Sequence, residues 1–98
     1  MTVQPLEVHR LTHHPRPAHG GQVQIAARLD ACLKRGQISE TQREVILLLA
    51  SGFTDEAVGK RLDISSRTVQ RHVARIMSMV GARSRLELGI LLAAPGRA

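Results

Sequence analysis

Residues 54–81 read TDEAVGKRLDISSRTVQRHVARIMSMVG, and their spacing decides the fold. Thr54 is a helix-capping residue type, and Asp55 and Glu56 follow it in the first turn, where the helix dipole favours acids. Val58 and Leu62 stand four residues apart and point inward from one face of a short helix. Gly59 leaves the middle of that helix without a side chain. Asp63, four residues further on, tolerates the left-handed conformation that a sharp stop requires. Ile64 plugs the turn and Ser65 caps a new helix. Val69, ten residues after Gly59, is a branched apolar residue able to lock the second helix onto the first. Two helices crossing at about 90–120° approach closely, so they need a small residue at the crossing and a tight turn between them. Gly59, Asp63 and Val69 meet that requirement together, which is the spacing of a helix-turn-helix.

The second helix of the pair has two unlike faces. Val69, Val73, Ile76 and Val80 recur at helical spacing as a buried stripe, and Gly81 ends the helix. Arg67, Gln70, Arg71, Ala74, Arg75 and Ser78 fall on the opposite side. Residues 64–86 contain no Asp or Glu, whereas Arg67, Arg71, Arg75, Arg83 and Arg85 all lie within them. A helix that enters the major groove must be held on one side while the other reaches phosphates and base edges. The plainer alternative is a solvated basic face, and the adjoining turn spacing weighs against it.

Upstream, Ser39 and Gln42 form a capping box that opens a helix over residues 38–52. Val45, Leu48 and Leu49 are its inward stripe, and Gly52 stands where a left-handed residue closes such a helix. Ile46 and Leu47 are apolar too, so a second side is covered, most simply by the preceding helix. That helix spans residues 23–36, with Ile25, Leu29, Cys32 and Leu33 on one face. Residues 1–22 are rich in Pro, His and Gly without a sustained period and read as a flexible lead segment or linker. Downstream, Ser84 caps a last helix over residues 85–94, which Pro95-Gly96 terminates.

The composition narrows the partner. The net charge of +6 and pI near 11.3 call for a polyanion. Phe53 is the only aromatic residue, which disfavours a β-sandwich and a platform that stacks single-stranded bases. A chain of 98 residues holds one small domain. A single cysteine, Cys32, excludes an internal disulfide framework and suits a reducing cytoplasm. No stretch reaches the roughly 20 apolar residues of a membrane span, and the first residues lack a signal peptide's apolar run. A cytoplasmic protein with no membrane partner is expected.

Residues 38–93, ISETQREVILLLASGFTDEAVGKRLDISSRTVQRHVARIMSMVGARSRLELGILLA, resemble the C-terminal DNA-binding domain of LuxR/NarL-type bacterial transcription regulators. Ile38-Ser39 with Glu44-Val45, the ASGFTDEAV step, the RLDISSRTVQRHV core and the closing GARSRLEL carry the likeness in order. The resemblance implies an all-α, four-helix helix-turn-helix domain over residues 37–94. The helix of residues 23–36 and the lead segment precede it, and residues 95–98 form a tail. Its third helix, residues 66–79, is expected in the major groove of double-stranded DNA, and the fourth often mediates dimerisation. By position, Gln70, Arg71 and Ala74 resemble base readers, while Ser66, Arg67, Thr68, His72 and Arg75 resemble phosphate anchors. Two departures stand out. Gly59 occupies a position where the family usually has alanine, at about 0.5–1 kcal/mol of helix stability. Gln70 and Ala74 stand where basic residues are frequent, so the sequence read should differ from that of relatives with Lys there. The lead segment resembles neither a receiver nor an autoinducer-binding domain.

The last helix carries Leu86, Leu88, Ile90, Leu91, Leu92, Ala93 and Ala94 nearly all round, more than one core face can take. A weak homodimer through Leu88, Leu91 and Leu92, reading an inverted repeat, is one use for the surplus. Contact with the helix of residues 23–36 is the other. RNA polymerase is a further candidate partner. His72 reads either as a phosphate contact or as a packing residue of the helix. His9, His13, His14 and His19 with Cys32 match no structural zinc spacing, so no metal is expected. Cys32 itself reads as a small buried hydrophobe. No phosphate loop, acidic pair or activated nucleophile suggests an enzyme, and no cofactor is expected. The rival readings are a sigma-factor promoter-reading segment, which needs a polymerase-contacting remainder, and an interaction protein that dimerises with a full-length regulator and inhibits it.

Overall fold

A computed structural model describes residues 20–94, and the lead segment up to residue 19 and the tail of residues 95–98 lie outside them. The described chain is all-α. Its helices are α1 (Gly20–Lys34), α2 (Glu40–Ala50), α3 (Asp55–Leu62), α4 (Ser66–Val80) and α5 (Arg85–Ala93). Each of the last four begins on the side chain that the sequence offers as its cap. Ser39 Oγ accepts the Gln42 N–H at 3.1 Å, and the Ser39 N–H donates to Gln42 Oε1 at 3.0 Å, which completes the capping box. Thr54 Oγ1 accepts from the Ala57 N–H, Ser65 Oγ from the Thr68 N–H and Ser84 Oγ from the Glu87 N–H, all within 3.1 Å. Such caps contribute about 1 kcal/mol apiece. They also fix where each helix starts, and hence which residues face inward.

The turn between α3 and α4 sets the angle at which α4 stands. Asp63 adopts the left-handed conformation, with φ 60° and ψ 47°. Its N–H and that of Ile64 both return to the Gly59 carbonyl, the latter at 2.9 Å. The chain thus folds back over Gly59. A Cβ there would stand 2.5 Å from the Ile64 carbonyl oxygen and 3.4 Å from the Ser66 nitrogen. Glycine is weaker than alanine as a helix former, but here it admits a backbone that a methyl group would displace.

One core joins all five helices. Leu29 of α1, Val45 of α2, Val58 of α3, Val69, Val73 and Ile76 of α4, and Leu88 and Leu92 of α5 belong to it. No polar or charged residue among the described ones is buried. α4 packs on α2, α3 and α5, while α1 lies across α2 and α5. In α2 the deepest residues are Val45 and Ile46, and Leu48 and Leu49 are half-buried, because α1 covers the side that carries Ile46. Cys32 is buried in the same core.

Two expectations change. The first helix starts at Gly20 rather than residue 23. Its first turn lies beside the end of α5, with Gly21 close to Ala93, and that tertiary contact offsets the weak helix propensity of two glycines. The second change concerns α5. Leu88 and Leu92, read from sequence as a dimer seam with Leu91, are only 4% and 2% exposed within this chain's own core, and Leu91 is half-buried. α1 takes up the surplus apolar surface of α5, and Arg28 Nη2 ties the two helices by donating to the Ala94 carbonyl at 3.0 Å. The apolar residues left outside on α5 are Leu86 and Ile90, at 75% and 60% exposure.

Gly59→Ala sets two effects against each other. Helix propensity favours alanine by about 1 kcal/mol, whereas overpacking against backbone costs about 1–3 kcal/mol. The obstacle is a carbonyl of the turn itself, so overpacking prevails and the variant melts several degrees lower in a thermal scan. A higher melting temperature would show that the turn has room to spare.

Candidate nucleic-acid interface

Val69, Val73 and Ile76 anchor α4 along its inner side, each essentially buried. Helical geometry then presents the opposite side outward, and Arg67, Gln70, Arg71, Ala74, Arg75 and Ser78 are all exposed. Arg67, Arg71 and Arg75 follow one another at four-residue spacing, about 6 Å apart along the axis. Like charges so placed cost a helix about 0.2–0.5 kcal/mol per pair. None of the three is in an ion pair among the described residues. The ridge is therefore a small electrostatic burden on the free chain, and a polyanion along it removes that burden.

The other two arginines of the acid-free stretch are differently engaged. The Arg83 N–H donates to Glu87 Oε1 at 2.7 Å, and its side chain pairs loosely with the same carboxylate. Arg85 grips Asp55 with both terminal nitrogens, Nη1 to Oδ1 at 2.7 Å and Nη2 to Oδ2 at 2.9 Å. This fork joins the start of α5 to the start of α3. The hydrogen bond from Arg85 holds the Asp55 carboxyl below its ordinary range, against the opposing effect of burial, and the Gln70 amide acts in the same direction as Arg85. The Arg85 guanidinium is raised in turn by that hydrogen bond. Both acids lie outside residues 64–86, so a count along the chain assigns Arg83 and Arg85 to the basic face although the fold gives each a carboxylate.

The residues that resemble base readers, Gln70, Arg71 and Ala74, share the exposed face. Those that resemble phosphate anchors divide. Arg67 and Arg75 flank the same face and are exposed, whereas Ser66, Thr68 and His72 are half-buried. Thr68 Oγ1 accepts from Ser65 Oγ at 3.0 Å. His72 Nδ1 lies 3.4 Å from Gln42 Nε2 across the junction of α4 with α2. Gln42 is thus a residue of this region that sequence reasoning identified only as a cap. On α3, Arg61 stacks over the Phe53 ring, 5.4 Å from its centroid.

This helix pair, its caps and its basic face agree with the comparison to protein families: residues 37–92 match the model of bacterial regulatory proteins, luxR family. The chain belongs to the luxR family. The helix-turn-helix domain of that family binds double-stranded DNA, and its members are transcription regulators rather than enzymes. Among curated relatives, an HTH-type transcriptional regulator of Mycobacterium bovis is 36% identical over 53 residues, 54% of this chain and 6% of that protein. The bialaphos biosynthetic pathway regulatory protein of Streptomyces hygroscopicus is 41% identical over 61 residues, 60% of this chain and 24% of that protein. The nitrate/nitrite response regulator protein NarL of Escherichia coli is 30% identical over 54 residues, 55% of this chain and 25% of that protein. The luxR-family chain therefore matches a quarter or less of the length of each of these three. No solved structure matches it.

Because Asp55 is held low in the folded state, the unfolded chain binds more protons near pH 4, and stability gained from the Arg85 fork is present at neutral pH and lost as pH falls below the carboxylate range. Asp55→Asn should cost about 0.5–1 kcal/mol at pH 7 and less at pH 3, as measured by thermal unfolding of both proteins at each pH. An equal gap at the two values would separate the fork from proton-linked stability.

Proposed function

We propose that the chain binds double-stranded DNA sequence-specifically to regulate transcription, with α4 lying in the major groove. The observation that carries this reading is the ridge of Arg67, Arg71 and Arg75, without acid partners among the described residues, on a helix held firmly from behind. Arg67 and Arg75, with the N-terminal turn of α4 at Ser66 and Thr68 and the flank at His72, meet phosphates. Gln70, Arg71 and Ala74 face base edges. An arginine reads guanine through O6 and N7, a glutamine reads adenine through N6 and N7, and alanine offers a methyl contact to thymine. The residues assigned to DNA all belong to residues 37–94, with α1 as a brace behind α5. A cytoplasmic location follows from the partner, and among the described residues no helix is long and apolar enough to cross a membrane.

On DNA we propose a weak dimer on an inverted repeat. Its surface is the outer side of α5, where Leu86 and Ile90 stand four residues apart and exposed, and not the inner side that carries Leu88 and Leu92. Contact through one short helix is small, so the free chain is chiefly monomeric and DNA brings the copies together. Half-sites lie about 10 base pairs apart, or closer if the helices pack tightly. The same two exposed residues also fit a reading in which the chain pairs with a full-length regulator and inhibits it. Binding of duplex DNA by the chain alone favours the first reading. RNA polymerase is a further proposed partner.

Selection of bound duplexes from a random pool tests base reading. Arg71→Ala should cost about 1–3 kcal/mol and relax preference at one position, whereas Arg67→Ala should weaken all duplexes alike. Uniform losses from both variants would overturn the division of roles. The affinity of the parent chain should fall with salt at about 0.9 logarithmic units per phosphate neutralised. An affinity indifferent to salt would remove the arginine ridge from the interface.

A further inference from the structure

The capping box of α2 does more than start a helix. Gln42 has an amide with one acceptor and one donor end, and each end is occupied by a different element. Its Oε1 accepts the Ser39 N–H at 3.0 Å, which settles the orientation of the amide, because the opposite orientation would set two donors against each other. Its Nε2 therefore faces His72 Nδ1, at 3.4 Å. An amide nitrogen only donates, so Nδ1 must offer its lone pair, and the neutral ring carries its proton on Nε2. No hydrogen bond involves Nε2 among the described residues. The imidazole keeps part of its surface exposed on the flank of α4, two turns of helix from the Ser65 cap.

We propose that Gln42 is a positioning residue for DNA binding: held by the Ser39 backbone, it fixes His72 in the Nε2–H form and keeps that single donor aimed away from α2, toward a phosphate oxygen of the duplex. The proposal rests on the reading that α4 lies on DNA. Neutral histidine has one N–H and two tautomers, and a ring free to exchange between them offers the donor at the right nitrogen only part of the time. The Gln42 contact removes that exchange in advance, so the ring is prepared before the nucleic acid arrives. It also joins the start of α2, outside the helix-turn-helix, to the DNA-facing helix through three consecutive groups: the Ser39 amide, the Gln42 side chain and the His72 ring.

Ring-nitrogen NMR of the labelled full chain tests the positioning without DNA, with the His72 signals assigned by their loss in His72→Ala. In the parent, His72 should show a protonated Nε2 and an unprotonated Nδ1. Gln42→Ala should give a mixture of tautomers. Gln42→Glu keeps an acceptor for the Ser39 N–H and so preserves the cap, but its carboxylate accepts from the ring, so the proton should move onto Nδ1. A mixture in the parent, or a ring that ignores both substitutions, would overturn the inference. Titration with a random-sequence 20-base-pair duplex then tests the consequence. His72→Ala and Gln42→Ala should each weaken binding about three- to tenfold, and the double variant should lose no more than His72→Ala alone. Additive losses would show that Gln42 acts on DNA binding by another route. If the parent failed to bind the duplex while its ring stayed in the Nε2–H form, the DNA reading would fall and the tautomer assignment would stand.

Discussion

The close passage of the Ile64 carbonyl over Gly59 is the constraint on which the rest of the molecule depends. α4 is held by a turn of only three residues, Asp63 to Ser65, and the angle of that turn decides which of its residues reach the core. Asp63 in the left-handed region, two amides returning to the Gly59 carbonyl and the absence of a Cβ at Gly59 together set the angle. Given it, Val69, Val73 and Ile76 point into the space that α2, α3 and α5 enclose, and the arginine ridge is turned outward. A rotation of α4 by one residue, about 100°, would replace Val69, Val73 and Ile76 in the apolar core by Thr68, His72 and Arg75 in one sense, or by Gln70, Ala74 and Met77 in the other, and no polar residue among the described ones is buried there.

Stability and function pull differently on the two sides of α4. Its inner side gains from burial, at about 1.5–3 kcal/mol for each fully buried large aliphatic side chain. Its outer side loses a few tenths of a kcal/mol per pair of stacked like charges. The inner gain is several-fold larger, so the core can hold a helix whose exposed face is electrostatically unfavourable in isolation. Ion pairs at the edge of the surface limit the burden. Asp55 pairs with Arg85 and Glu87 with Arg83 at the edge of the basic surface, while Arg67, Arg71 and Arg75 of α4 are in no ion pair among the described residues.

Much of this was legible in the sequence because it is governed by local rules. Caps at Ser39, Thr54, Ser65 and Ser84 need only a short polar side chain and a neighbour three residues on, and the turn needs a small residue, a turn former and a branched one at set spacing. The exposed face of α4 followed from helical periodicity alone. What could not be read depends on partners distant in the chain. The circumference of α5 is apolar nearly all round, and only the packing of α1 reveals that Leu88 and Leu92 are spent inside the chain while Leu86 and Ile90 are not. The Arg85–Asp55 fork spans thirty residues and so escapes any count of charges within a window. The Gln42–His72 contact has the same separation, which hid a positioning group behind its role as a cap.

Backbone amide NMR during titration with a short duplex tests the central claim most directly, since every described residue reports. The largest shifts should fall on α4 from Ser66 to Ser78 and on the turn before it, with α1 little changed. Shifts concentrated on α1 and the outer side of α5, with the arginine ridge of α4 unaffected, would contradict it.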